Sequence, residues 1–222
     1  MRIETYSYRF AEDILSSPKF ISIHTELLDI CKNCPIPVYR GKSNEQPDKD
    51  IVQQIMNTYF KLQFKKLGWE AEPLATPKDN EDDLKADFRK TFDKNGSKIT
   101  LQIEVEFGNI ASSYRNYFKF QLSYSYGLTD IGVLIVPSTN LANRVDSGVA
   151  SFEKAIREIP QAKLSVTVPI LVIGLFDKDM NGNKLPEWDV RQTGVSIDTA
   201  KNKNRLVSQE HNNMVQSYID KL

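Results

Sequence analysis

Alternation of apolar and polar positions is clearest over residues 84–92 and 98–107, two runs that flank Asn95-Gly96. Asn-Gly supplies the positive φ angles that a two-residue type I′ turn demands, so the pattern predicts an antiparallel hairpin. Apolar residues at Ile51, Ile55, Met56, Tyr59, Phe60, Phe64 and Leu67 recur at helical spacing and stop at Gly68, which predicts a helix over 51–67. Residues 131–137 and 168–176 are continuous apolar runs of strand length, as expected of strands covered on both faces. Shorter signals predict an N-terminal strand, one or two helices between Ala11 and Ile30, and further helices over 113–126, 140–159 and 209–222. Residues 42–50 and the acidic stretch 70–83 read as irregular, and 198–205 as flexible. Hairpin, helix, strand, helix, strand defines an α/β protein with a mixed central β-sheet flanked by helices. The 222 residues are expected to form one domain, with the C-terminal segment 177–222 assigned little structure before its final helix.

In a two-residue hairpin the numbers of facing residues have a constant sum, here 191, which places Asp87 opposite Glu104. Facing Cβ atoms lie roughly 4.5–5.5 Å apart, and the two-residue period adds Glu106 to the same face. Ile103, Val105 and Phe107 occupy the other face, so burial of that side would hold the acids in place. Like charges facing each other across a ladder oppose folding unless a cation offsets them. Hard carboxylates in a loose group suit Mg²⁺, which takes one or two of them, keeps several waters and leaves room for a substrate phosphate. Two other readings use the same residues. The acids could decorate a solvated face, and a turn spanning Asp93 to Ser97 would slip the register by one residue and reverse every face.

Composition excludes more than it identifies. No apolar run is long enough to span a bilayer and the opening residues lack a signal-peptide core, so a cytoplasmic location is expected. The 29 basic and 29 acidic residues cancel, which argues against indiscriminate coating of nucleic acid but leaves room for a selective DNA binder. Cys31 and Cys34 form a C-x-x-C, yet only His24 and His211 could join them and neither spacing suits zinc. Cys31 also closes a helix instead of opening one, so reduced structural thiols are expected. The acidic and Asn-rich run after Asp177 lacks the Glu and the preceding helix of a calcium loop, and reads as a surface turn.

Asp87, then Glu104-Val105-Glu106 on the next strand, then a helix and a buried strand resembles the PD-(D/E)XK nuclease superfamily. The run Glu104 to Ile110, with Ser112, Ser113 and Arg115 after it and Glu104 standing seventeen positions after Asp87, is similar to the BamHI/BglII/BstYI group of type II restriction endonucleases. Met1-Arg2-Ile3, Ala11 to Leu15, Asp130 to Val133, Ser147-Gly148-Val149 and Val168 to Gly174 extend the likeness over most of residues 1–176. The superfamily usually has Lys where Glu106 stands here.

The resemblance implies a restriction-endonuclease-like core and a prokaryotic, homodimeric enzyme that cuts palindromic double-stranded DNA around a GATC core. A cognate DNA methyltransferase would be its functional pair. Asp87 and Glu104 would hold Mg²⁺ with the Val105 carbonyl, Glu106 would orient or deprotonate the attacking water, the three acids leave room for a second metal, and Glu70 or Glu72 could join the site. Asn109, Ser112, Ser113 and Arg115 would read base edges in the major groove, Arg115 a guanine and Asn109 an adenine, with Arg144 reading outer bases. A simple N-cap cluster beside a solvated Arg accounts for the same four residues. The 51–67 helix and the helices flanking the buried strands are the expected dimer interface. A structure-specific repair or recombination nuclease, or a catalytically silent DNA-binding protein, are the other functions this pattern admits.

Overall fold

In the computed structural model, which describes residues 1–77, 84–94, 96–163, 165–201 and 208–222, the hairpin has the expected register. Strands Phe88–Lys94 and Ser97–Val105 pair from Phe88 with Ile103 down to Lys94 with Ser97, and Gly96 takes a φ of 79° in the turn. Asn95 lies outside the described residues.

In chain order the elements are β1 (Arg2–Tyr8), α1 (Ala11–Leu15), α2 (Ile21–Lys32), β2 (Pro37–Val38), α3 (Gln53–Lys66) and β3 (Glu70–Ala71). There follow β4 (Phe88–Lys94), β5 (Ser97–Val105), α4 (Ile110–Ser125), β6 (Ile131–Pro137), α5 (Thr139–Val145) and α6 (Phe152–Glu158). The chain closes with β7 (Ile170–Phe176), β8 (Trp188–Asp189), α7 (Ile197–Lys201) and α8 (Ser208–Ile219). The six-stranded sheet has the order β1-β7-β6-β5-β4-β3. Its centre, β5, β6 and β7, is parallel, while β1, β4 and β3 pair antiparallel at the flanks. A mixed sheet of this kind needs helical cover on both faces of its parallel part.

That cover is asymmetric. Ile103, Val133, Ile135 and Ile173 face one way and pack with Leu27, Ile55, Phe60 and Phe64 of α2 and α3. The opposite face of the sheet, Leu134, Val136, Ile170 and Val172, meets Tyr117 and Phe120 of α4 and Phe152 and Ala155 of α6. Gly132 sets how closely α4 approaches, since a Cβ there would lie 2.8 Å from the Phe120 ring. The C-terminal helix joins the first layer: Met214, Val215 and Ile219 belong to the same core as α3, and His211 is wholly buried beside Thr58 at 2.7 Å.

Five expectations change in detail. The helix predicted over 113–126 begins at Ile110, because the Asn109 side chain accepts from Ala111 N–H at 2.9 Å and caps it there. The single helix predicted over 140–159 is two, α5 and α6. Backbone hydrogen bonds from Ile110 to Gly148 and from Ala150 to Gly108 draw the intervening loop to the end of β5, and Gly148 turns there with a φ of 74°. Within 198–205, expected to be flexible, residues 198–201 are helical, and 202–207 lie outside the described residues. Within 70–83, Glu70 and Ala71 form a short strand on β4, and 78–83 lie outside the described residues. The apolar face of α3, expected as a dimer interface, is spent on the core. Cys31 and Cys34 are free and buried, and burial raises both thiols well above their ordinary pKa. Among the described residues no helix is long and apolar enough to cross a membrane.

Candidate active site

The acids gather where β4 begins and β5 ends, because alternation along β5 leaves Gln102, Glu104 and Glu106 on the face opposite the Leu101, Ile103 and Phe107 core. The strand ladder stops at Phe88 and Ile103, one step short of Asp87 and Glu104. Asp87 instead turns its carboxylate onto the backbone, accepting from Val105 N–H at 2.7 Å. Glu104 is 1% exposed. Burial, and then the charge of Asp87, push its pKa up to about 8 against the pull of Lys119. Burial raises Asp87 as well, opposed by the Val105 amide, and raises Glu106, opposed by the Gly108 amide.

Glu106 is fixed through both oxygens. Oε1 accepts from Gly108 N–H at 2.7 Å and Oε2 from Asn116 Nδ2 at 2.9 Å. Gly108 must be glycine for this contact, as a Cβ would stand 2.7 Å from Glu106 Oε1. The carboxylate is therefore aimed before any ligand arrives, as a base or orienting group has to be.

A cleft opens beside Asp87, lined also by Glu72, Val105, and Asn57 and Lys61 of α3. Glu72, one of the two further acids considered from the sequence, lies near enough to Asp87 to raise its pKa, and holds a left-handed φ of 55°. Glu70 pairs in the sheet with Arg89. Among the described residues no three His, Cys, Asp or Glu side chains stand together as a ready metal cage. The donor chemistry still fits Mg²⁺, because Asp87 and Glu104 are two hard carboxylates whose mutual repulsion a cation would relieve, and Mg²⁺ completes its shell with water.

The expected base readers separate. Asn109 and Arg115 are exposed at the start of α4, and Arg115 makes no hydrogen bond or ion pair with a described residue. Ser113 is buried and turned back onto the Ile110 carbonyl at 2.7 Å, so its hydroxyl faces the protein. The Ser112 side chain lies outside the described residues. Arg144 is not brought to the acids; its guanidinium is held by Asp50, Asp177 and Glu187 at 2.7–3.0 Å.

Sequence reasoning missed Asn116 and Lys119, which reach Glu106 and Glu104 from α4. The available signal was the spacing of Asn116, Lys119 and Ser123, one polar residue per turn on the face of α4 that carries Tyr117 and Phe120 into the core.

A mixed sheet with helices on both faces, and acids at the junction of its antiparallel hairpin and parallel centre, defines a restriction-endonuclease-like fold. Solved structures agree: BglII bound to a DNA 16-mer superposes with a TM-score of 0.64 at 15% identity, covering 81% of this chain and 78% of that one. Free BglII gives 0.53 at 15% identity, covering 81% and 82%. The restriction endonuclease BglII/BglIII family matches residues 3–175, and the chain belongs to that family. The type II restriction enzyme BamHI of Bacillus amyloliquefaciens is 29% identical over 97 residues. That similarity spans 44% of either chain.

Proposed function

We propose that this protein is a type II restriction endonuclease that hydrolyses phosphodiester bonds of double-stranded DNA, with Mg²⁺, at a short palindrome built on GATC. The observation that carries the reading is the convergence of Asp87 and Glu104 at the end of β5, with Glu106 aimed beside them. Asp87 and Glu104, with the Val105 carbonyl, would hold the ion. When bound, Mg²⁺ supplies Lewis-acid activation and offsets charge developing on the phosphate. Glu106 orients the attacking water and accepts its proton, a role favoured by a pKa raised through burial. Incubation with Mg²⁺ and a plasmid rich in GATC sites, followed by sequencing of the ends, tests this. Cuts within GATC palindromes are expected, and random or absent cutting would sink it.

Arg115 and Asn109 would read the bases, since they stand exposed where β5 passes into α4 and so couple recognition to the acids over a short lever. Replacing Arg115 with Ala should weaken binding to the preferred duplex by about 1–3 kcal/mol and barely alter binding to unrelated DNA. Equal losses on both, in a fluorescence anisotropy titration, would reduce Arg115 to a backbone contact.

A palindrome calls for two copies related by a two-fold axis. Tyr114, Phe118 and Tyr126 are 49%, 58% and 48% exposed and, with Leu122, form an i, i+4 row along α4 and its cap. A second copy of the chain would cover this row, placing both acid clusters on one duplex. Sedimentation should give a dimer for the wild type and a monomer for Phe118→Glu; a wild-type monomer with and without palindromic DNA would rule the dimer out. The protein would act in a prokaryotic cytoplasm beside a methyltransferase that protects the same sequence.

A further inference from the structure

Helix α4 meets the acid-bearing face of β5 through three polar side chains set one turn apart. Asn116 reaches Glu106, Lys119 reaches Glu104, and Ser123 connects to Gln102 through Arg89, whose Nη2 donates to Ser123 Oγ at 3.2 Å and to Gln102 Oε1 at 3.0 Å. Of the three, only Lys119 brings a charge. It is 5% exposed, and its ammonium donates to Glu104 Oε2 and to the Lys85 carbonyl at 3.2 Å, on the segment that leads into Asp87. Gln102 Nε2 takes the other Glu104 oxygen at 3.2 Å. Both oxygens of a proposed metal ligand therefore already accept from the protein itself. The same ammonium favours the charged forms of Asp87, Glu104 and Glu106 alike, so it is the cation that all three acids share.

We propose that Lys119 is a resident counter-cation of this site, one that a divalent ion must displace from Glu104 in order to bind, so that the lysine sets the Mg²⁺ concentration at which the site loads. The proposal rests on the reading of Asp87 and Glu104 as metal ligands. Mg²⁺ sits about 2.0–2.1 Å from a ligand oxygen, and an ammonium left on the same carboxylate would face it across a few ångströms of poorly screened interior. That repulsion works against both cations staying on Glu104. Lysine can move off because its charge rides on a flexible four-carbon stem, and the Lys85 carbonyl already offers it a second partner. Without a metal, the ammonium offsets part of the repulsion among the buried acids and keeps the empty site folded.

Titration calorimetry of Mg²⁺ into DNA-free protein, with melting temperatures measured with and without Mg²⁺, separates the outcomes. Lys119→Met should melt lower than wild type when metal-free, gain more on adding Mg²⁺, and bind Mg²⁺ about tenfold tighter once the competing charge is gone. Lys119→Arg keeps the charge and should bind Mg²⁺ no more tightly than wild type. If Lys119→Met cannot fold without metal, recovery of folded protein as Mg²⁺ is raised is the expected result, and no recovery overturns the proposal. Mg²⁺ binding by Lys119→Met that equals or falls below that of wild type overturns the counter-cation role and leaves the metal ligands standing. Absence of Mg²⁺ binding in wild type and both variants removes the two together.

Discussion

Replacing Asp87 with Ala, or Glu104 with Gln, should abolish Mg²⁺-dependent cleavage while the far-ultraviolet circular dichroism stays that of the wild type. Either change removes one of the two hard carboxylates that would hold the ion, and the adjacent Glu106 is already tied to Gly108 and Asn116. The fold should survive because the core lies on the other side of β5, in Leu101, Ile103 and Phe107. Glu104→Gln preserves a partner for the buried Lys119, whereas Glu104→Ala strands that ammonium and should add a loss of stability to the loss of activity. Glu106→Lys should also be inactive, since it would set a second ammonium beside Lys119 in a site that needs anionic ligands. Cleavage of a plasmid at wild-type rates by Asp87→Ala or Glu104→Gln would remove the assigned site.

The acids were legible because their placement depends on local geometry. A two-residue turn fixes the register of its own hairpin, and period two then assigns each side chain to a face. Asp87 and Glu104 follow from Asn95-Gly96 without any knowledge of the rest of the chain. Lys119 and Asn116 do not, because their partners lie across a helix–sheet contact whose offset is set by Phe120 packing on Gly132. The break between α5 and α6 was hidden in a similar way. Ser147-Gly148 is a breaker signal set within apolar residues at helical spacing, and what holds the loop open is its bonding to Gly108 and Ile110, about forty residues away in sequence. Ser113 looked like a groove reader from its position after the acid-bearing strand. Its hydroxyl instead donates back to the Ile110 carbonyl, a local competition that sequence position alone does not resolve.

Arg144→Ala should be the most destabilising single change outside the apolar core. The guanidinium donates through Nε and Nη2 to both oxygens of Asp50 at 3.0 Å, through Nη1 to Asp177 at 2.8 Å and through Nη2 to Glu187 at 2.7 Å. These carboxylates come from the loop before α3, the end of β7 and the segment before β8, so one side chain ties three parts of the chain together. Asp177 is 2% exposed, and alanine would remove its ion-pair partner, while Glu187 would keep Arg40 at 3.3 Å and Lys184 at 4.0 Å. Removing one member of a buried ion pair typically costs about 3–5 kcal/mol, which for a protein of this size corresponds to a melting temperature lower by roughly 6–20 °C at ~2–4 °C per kcal/mol. The sequence-based expectation assigned Arg144 to outer-base reading, and the two roles give opposite results. A structural clamp predicts a large fall in melting temperature, with cognate and random duplexes affected alike in whatever protein remains folded. A base reader predicts an unchanged melt and a selective loss on the cognate site, which would require Arg144 to leave all three carboxylates when DNA binds.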